Sequence, residues 1–370
     1  MRLAKFGYFY DLFRRFLLSK KGYSSYYVTY YSKLVKNAYS SSSLPKADRK
    51  WAYKRGFFPW RIQQYGLTDE NYKSIISDDD YYYLYPLNNR YRMWIDDKLT
   101  IKYLLAPFDR FLPRYYYHLM KERGVMRLMD CPQGYNSSVE DVISLLRDKG
   151  QLAAKMTAGT YGIGFYKLES SDGCFFVNGE RKTEEDFRAF LLSLSDYIIT
   201  EFVEMHSTLK KLNSRAVNTV RVTVINEHGS DPFIAFSFMR IGTKKSGIVD
   251  NTAQGGMVCK VDVDTGRFYD AETLIDHVYH KVTHHPDTNE LLEGTLPNWD
   301  LVKNSIIEIS KYLPQLTWLG YDIAITEDGF SIIEINSHQG LHKANEYPPE
   351  VNRFLFGALE KKKKKYGREY

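Results

Sequence analysis

Apolar positions near the start of the chain recur at three- and four-residue spacing: Leu3, Phe6, Phe9, Tyr10, Phe13, Phe16 and Leu17. That period puts them on one face of a helix. Residues 24–36 continue as a second helix, Ser40–Pro45 reads as a linker, and Tyr81–Tyr85 before Pro86 as an irregular aromatic segment. From about residue 96 the texture changes. Asp97–Ala106, Arg114–Arg123 and Ser138–Lys149 read as helices, the last with acids in its first turn, where the helix dipole favours them. Short strands are then predicted over Leu152–Met156, Ile163–Glu169 and Cys174–Val177, closed by Asn178-Gly179, a pair suited to a tight hairpin. A helix over Glu184–Leu194 leads to a strand at Tyr197–Val203. Further strands are predicted at Ala216–Ile225, Phe233–Ile241, Met257–Val263, Gly320–Thr326 and Phe330–Asn336, with a helix over Trp299–Tyr312. No repeat of fixed period shows. Strands first hairpinned and then joined by helices predict α+β lobes rather than a doubly wound parallel sheet.

Composition narrows the class. At 370 residues, 44% hydrophobic and 26% charged, the chain is an ordinary globular one. It has no uncharged apolar run of about 18 residues to span a membrane, and Asp11, Arg14 and Arg15 interrupt any signal-type apolar core. Cys131, Cys174 and Cys259 are odd in number and far apart, which excludes a disulfide framework or a Cys-rich zinc site and fits a reducing, cytoplasmic setting. The net charge of +6 hides a division: residues 1–36 carry +7 and residues 361–370 carry +5, leaving −6 for the body between them. A basic balance confined to two segments argues against nucleic acid as a partner. Around the first apolar stripe lie Arg2, Lys5, Arg14, Arg15, Lys20 and Lys21, the composition of a helix on an anionic inner membrane surface; the favoured reading is packing against the protein's own body, where most amphipathic helices bury their apolar face. Lys361–Lys365 reads as a solvated helix end or as a second source of membrane attraction.

Three segments carry chemistry. In Gly320–Asn336 two strands flank a turn at Glu327-Asp328-Gly329; a three-residue loop with Gly329 left-handed pairs Thr326 with Phe330, Ala324 with Ile332 and Asp322 with Glu334. Ile323, Ile325, Ile333 and Ile335 then share the buried face, and Asp322, Glu334 and Asn336 converge on the other. Two carboxylates and an amide oxygen are hard ligands suited to Mg²⁺ carrying a nucleotide phosphate, and like charges across a strand pair cost energy unless a cation is expected. In Leu152–Leu168 a strand ends at Lys155 and a loop with Thr157, Gly159, Thr160, Gly162 and Gly164 follows, so that backbone N–H groups can approach phosphate while Lys155 supplies charge. A strand follows this loop, unlike a Walker A or dinucleotide fingerprint, where a helix follows. The third segment, Tyr197–Val203, can offer backbone groups at Glu201, Phe202 and Val203 to an adenine edge. His338, just after Asn336, is a candidate acid/base or a rim histidine. His277, His280, His284 and His285 have helix-face spacing for zinc, but Pro286 and the polar sequence around it favour a loop.

In this order the three segments resemble the ATP-grasp superfamily of carboxylate–amine ligases. The stretches AVNTVRVTV (216–224), FMRIG (238–242), VDNTAQGG (249–256), His285-Pro286, Leu296-Pro297-Asn298-Trp299 and LGYDIAI (319–325) resemble its sugar-transfer-associated family, whose members accompany surface-polysaccharide synthesis. The likeness covers roughly residues 96–345. It implies two α+β lobes gripping ATP: an N-terminal lobe at 96–200 with the Gly-rich lid and a C-terminal lobe at 201–360 with the metal and substrate site. A helical, aromatic-rich extension at 1–95 precedes them and a basic tail at 361–370 follows. It implies ATP with two Mg²⁺ ions on Asp322, Glu334 and Asn336, and phosphate charge met by Lys155 and by Lys102, the second lysine of an Asp97-Lys98…Lys102 segment. Arg221 and Arg240 would hold the transferring phosphoryl group and the substrate carboxylate, and Asp250, Asn251, Gly255 and Gly256 would line the acceptor pocket. Two positions depart from the pattern: Thr208 stands where an acid usually grips the ribose, leaving Glu204 or His206 as substitutes, and Met156 replaces a lid proline. The implied reaction is amide formation through an acyl phosphate, on a small-molecule or glycan acid. The alternatives are a sugar or glycan kinase on the same fold and a nucleotide-binding scaffold of a glycan-assembly complex.

Overall fold

In the computed structural model residues 15–159, 162 and 164–367 are described; Leu3, Phe6, Phe9, Tyr10, Phe13 and Thr160 lie outside them. Helices come first. A π-helical turn at Tyr27–Tyr31 runs into Ser32–Ser41, and Lys46–Lys54, Arg61–Tyr65, Asp78–Leu84 and Lys98–Leu104 follow. The aromatic segment read as irregular is therefore helical through Leu84. Ser77 accepts the Asp80 amide at 3.0 Å, and three aspartates occupy the dipole-favoured first turn, which outweighs the poor helix propensity of the tyrosines.

Two antiparallel sheets carry the rest. The first contains β1 (Tyr115–Met120), β2 (Gly124–Arg127), β3 (Gln151–Met156), β4 (Tyr166–Ser171), β5 (Cys174–Val177), β6 (Glu180–Lys182) and β7 (Tyr197–Glu201), in the order β2-β1-β7-β3-β4-β5-β6. The segment predicted as a helix over Arg114–Arg123 is the β1 strand and its turn. Its Tyr115-Tyr116-Tyr117 run favours the pleated sheet, and all of Tyr115–Leu119 is buried between β2 and β7, so no alternation survives to signal a strand. The helices Val139–Lys149 and Glu184–Ser193, capped by Ser138 and Thr183, cover this sheet with Val142, Leu145, Leu146, Phe187 and Leu191.

The second sheet holds β8 (Thr219–Ile225), β9 (Phe233–Ile241), β10 (Met257–Val261), β11 (Arg267–Ile275), β12 (Val278–Lys281), β14 (Trp318–Thr326) and β15 (Gly329–Asn336), in the order β12-β11-β10-β9-β8-β14-β15, with β13 (Gly294–Thr295) on β11. Val220, Val222, Val224, Tyr321, Ile323, Ile325 and Ile332 form one face under the Trp299–Tyr312 helix. Ile95, Ile101, Leu105, Phe108 and Phe111, from the segment just before β1, join this core rather than that of the first sheet. The opposite face of β8 and β14 is polar.

The β14–β15 register shows how the site is set. Asp322 pairs with Glu334 as read from the sequence, but by another route: the loop has two residues, Thr326 pairs with Gly329, and a bulge between Asp322 and Ile323 shifts the register by one. Gly329 opens the strand at φ 151° instead of taking the left-handed loop position. Ile333, half-buried, is the extra residue, and Phe330 and Ile332 take the core positions opposite Ile325 and Ile323.

The N-terminal helices and the Pro349–Lys365 helix share another core, in which Tyr81, Tyr83 and Leu84 meet Trp318, Phe354, Leu355 and Leu359. No helix among the described residues is long and apolar enough to cross a membrane.

Candidate functional site

Each of β8, β9, β14 and β15 places one charged side chain on the polar face. Asp322, 2% exposed, accepts Arg221 Nε at 2.5 Å and Nη2 at 2.8 Å, and lies 2.9 Å from Arg240 Nη2. Burial opposes the charge on Asp322, yet the two guanidiniums hold its carboxyl well below the usual carboxylate range. Arg240 also donates to Thr219 Oγ1 at 2.7 Å, and Asp250 and Asp322 hold its guanidinium above the usual range against the opposing effect of burial. Asn336 Nδ2 sits between the carboxylates, 3.3 Å from Asp322 Oδ2 and 3.2 Å from Glu334 Oε1.

The first sheet contributes from across the cleft. Lys155, 9% exposed at the end of β3, has its ammonium pushed down to about 8, by burial first and then by Lys98, while Glu334 and Glu201 oppose the shift. Lys98 is held by its helix start, since Asp97 caps the Lys98–Leu104 helix by accepting the Thr100 amide at 2.7 Å. Its Nζ lies 3.3 Å from Glu334 Oε2 and donates to Gly159 O at 2.8 Å.

Lys98, absent from the sequence-derived site, therefore stands at the carboxylates, and Lys102 does not. Lys102, 2% exposed, is enclosed by Asp109 at 2.5 Å, Asp130 at 2.7 Å and the Pro113 carbonyl at 3.0 Å. A buried ammonium with two carboxylate partners is satisfied where it is, and those partners come from segments the lysine's own sequence cannot reveal. The capping Asp97 was the available signal: it fixes Lys98 in the first turn.

The remaining expected residues fall as follows. Thr157 is a tether, its hydroxyl donating to Asp196 at 2.8 Å and its carbonyl accepting the Lys98 amide at 2.8 Å. Gly162 faces Val249 so closely that a Cβ would lie 3.0 Å from it, which brings the lid against the loop before Asp250; a Cβ at Gly164 would meet Tyr197 Oη at 2.6 Å. Glu201 ends β7, its amide donating to the Arg114 carbonyl at 2.9 Å; Phe202 lies under Lys167, and Val203 is buried. Glu204 is bound by Gln151 and Lys210. His206 caps the Ser207–Leu212 helix through the Thr208 amide and lies 3.2 Å from Glu327. Neither substitute for the ribose acid is thus without partners. Asp250 accepts the Thr219 amide and hydroxyl at 2.8 and 2.5 Å, which joins its loop to Arg240. Asn251 starts the turn that follows, Gly255 adopts φ 103°, and at Gly256 a Cβ would lie 2.4 Å from the Asp250 carbonyl.

His338, the candidate acid/base or rim histidine, lies in an aromatic cluster. Its ring stacks on Tyr81 at 4.1 Å beside Tyr82 and Tyr85, and burial, with Lys362, pushes its imidazole down to about 3. His277 stacks on Trp60 and His285 Nε2 lies 2.9 Å from the Gly242 carbonyl; among the described residues no group of three or more His, Cys, Asp or Glu side chains is placed to hold a metal.

The donor set fits a polyphosphate with a hard cation. Lys98, Lys155, Arg221 and Arg240 outnumber Asp322, Glu334 and Asp250, and the Asn336 amide, placed as a donor between two carboxylates, presents an oxygen to the same point when turned over. A family model described as sugar-transfer associated ATP-grasp matches residues 79–346. No curated protein matches the sequence. Solved structures similar to this chain include the ATP-grasp ligase PsnB complexed with a phosphomimetic variant of minimal precursor, Mg and ADP, at 15% identity and TM-score 0.38, covering 73% of this chain and 60% of that one. D-alanine–D-alanine ligase from Bacillus anthracis has 10% identity and TM-score 0.38, covering 73% and 68%. N5-carboxyaminoimidazole ribonucleotide synthetase from Thermotoga maritima has 12% identity and TM-score 0.34, covering 66% and 42%. The chain thus spans less than two thirds of the PsnB chain.

Proposed function

This chain belongs to the sugar-transfer associated ATP-grasp family, and on that premise we propose that it is an ATP-dependent ligase joining a carboxylate to an amine, the acid being a sugar acid or a glycan. The observation that carries the reading is the cleft in which Lys98 and Lys155 face Glu334 while Arg221 and Arg240 flank Asp322. Asp322, Glu334 and Asn336 would hold the magnesium, two ions in this reading, whose charge offsets that of the phosphates.

The protein's own groups act by position. Arg221 is locked by its two-point contact with Asp322, so it presents its remaining N–H groups without reorganising. Lys155, at a strand end of the first sheet, and Lys98, fixed by a helix cap on a segment packed against the second sheet, approach the same phosphates from two sides. Arg240 reaches from the carboxylates to Asp250, which suits it to a substrate carboxylate between the phosphates and the 250–256 loop. In-line attack of that carboxylate on the terminal phosphorus of ATP would expel ADP, and attack of an amine on the acyl carbon of the resulting acyl phosphate would expel inorganic phosphate and a proton; neither step needs a covalent protein nucleophile.

A screen of uronic acids and other sugar acids against amines, read as ADP release, tests the proposal. ADP release that requires both an acid and an amine, with amide product, supports it. A stable phosphorylated sugar formed without the amine would replace it with the kinase reading, and ATP binding with no ADP release for any acid and amine would leave the nucleotide-binding scaffold.

A further inference from the structure

The two basic segments, more than 300 positions apart in the chain, meet in the fold. Gly22 adopts φ +83° with its α-carbon against the Tyr366 ring, so close that a Cβ there would lie 2.5 Å from the ring. Tyr83 ties the two together: its hydroxyl donates to the Lys21 carbonyl at 3.0 Å, while Lys362 donates to the Tyr83 and Tyr85 carbonyls at 2.5 and 3.2 Å. Lys363 reaches Asp80 at 3.0 Å. The helical segment at 15–20 is thereby held beside the last turn of the Pro349–Lys365 helix.

The surface so formed is both charged and apolar. Lys20, Lys21, Lys361, Lys364 and Lys365 are exposed. Of the acids nearby, Asp80 is bound to Lys363 and Glu227 to Lys361, and Glu360 is exposed. Phe16 and Leu17, 55% and 47% exposed, stand next to these lysines, with Lys20 5.4 Å from the Phe16 ring centre. The rest of the protein carries the opposite charge, −6 over residues 37–360.

We propose that this joint surface docks on an anionic lipid membrane, the lysines of both segments meeting headgroups while Phe16 and Leu17 enter the interface. Lysines alone would suit any polyanion. The exposed aliphatic and aromatic pair beside them gains nothing from a phosphodiester backbone but is stabilised by burial at the acyl boundary, which favours lipid over nucleic acid. The inference does not depend on the reaction assigned above.

Vesicle co-sedimentation of the full chain tests it, with phosphatidylcholine alone and with about one third phosphatidylglycerol. Binding is expected to the anionic vesicles only and should fall as salt rises, since exposed charges are screened. Each basic residue at such a surface is worth about fivefold in partitioning. The paired reversals Lys20→Glu/Lys21→Glu and Lys364→Glu/Lys365→Glu should therefore each lower it by more than about 25-fold. Phe16→Ser/Leu17→Ser should weaken binding while leaving its salt dependence. All six positions are exposed, and an unchanged melting temperature verifies the fold. Equal binding to neutral vesicles, loss in only one of the two lysine pairs, or displacement of the protein from vesicles by a duplex DNA at the same salt would each overturn the proposal.

Discussion

Lys98→Met and Lys102→Met should separate binding chemistry from stability, although the two lysines are one helical turn apart. Lys102 is the stability case. Its side chain is 1% exposed and lies between Asp109 and Asp130, themselves 36% and 11% exposed. Removing one partner of a buried ion pair costs about 3–5 kcal/mol. Asp130 keeps the Tyr115 amide at 2.7 Å and Arg114 at 3.4 Å, and Asp109 keeps Arg114 at 3.2 Å, so the lower end, about 3 kcal/mol, is expected. Lys98 is the binding case. It loses one bond to a carbonyl and one contact with Glu334, whose side chain is 26% exposed and keeps the Asn336 amide, so about 1–2 kcal/mol to the fold is expected. A charge-assisted contact with phosphate is worth about 1.5–3 kcal/mol, or roughly 10- to 100-fold in ATP affinity. Urea unfolding and ATP calorimetry on both variants measure the four quantities. A stable Lys102→Met protein that has lost ATP binding, or a Lys98→Met protein that binds ATP as tightly as wild type, would refute the reasoning.

Glu334→Gln should leave the melting temperature within a few degrees, because the residue is half-buried on a polar face, while turnover falls about a thousandfold through loss of charge at a metal ligand. Activity within twofold of wild type would remove the residue from the site. Burial lowers the Lys155 ammonium to about 8, so ATP affinity should decline as pH rises through that value, and Lys155→Arg should flatten the decline in a calorimetric series. The sign for stability is opposite: the unfolded chain keeps that proton up to about pH 10.4, so the penalty of burying the charge is present below pH 8 and fades between the two values. Asn88→Ala leaves the buried Trp318 amide and carbonyl without partners and should cost about 3 kcal/mol in urea unfolding, whereas Asn88→Gln, unable to span the same groups, should not restore it.

Local pattern located the carboxylate hairpin because burial of the isoleucine face and the polarity of Asp322, Glu334 and Asn336 admit one register at that end. The loop was misread, and the bulge at Ile333 cancelled the error; period-two alternation carries no sign of a bulge. The β1 strand was missed for a related reason, since a strand buried on both faces loses its alternation. Lys98 and Lys102 show a different limit. Which lysine faces the cleft depends on Asp109 and Asp130, the second of which comes from the loop after β2.

The segment from Tyr81 to Asp96 was hard to read from its pattern, yet it lies within the matched family region and is bonded to the hairpin that carries the site. Tyr81 donates to the Gln339 carbonyl at 2.6 Å and receives Trp318 Nε1 at 3.2 Å. Asn88 donates to the Trp318 and Ser337 carbonyls at 2.7 and 3.3 Å and accepts the Thr317 and Trp318 amides at 2.8 and 3.0 Å. Asp96 accepts the Ser337 hydroxyl at 2.5 Å. These bonds fall at the open end of the β14–β15 hairpin, one residue beyond Asn336 and four before Asp322. A side chain that bridges both strands there fixes their separation, and with it the distance between the groups assigned to the metal. Contacts across more than 200 positions have no periodic signature. A tyrosine-rich, irregularly spaced segment looks uninformative on its own because its pattern is shaped to fit the hairpin end it clamps and the helix at 349–365 rather than to bury one face of itself.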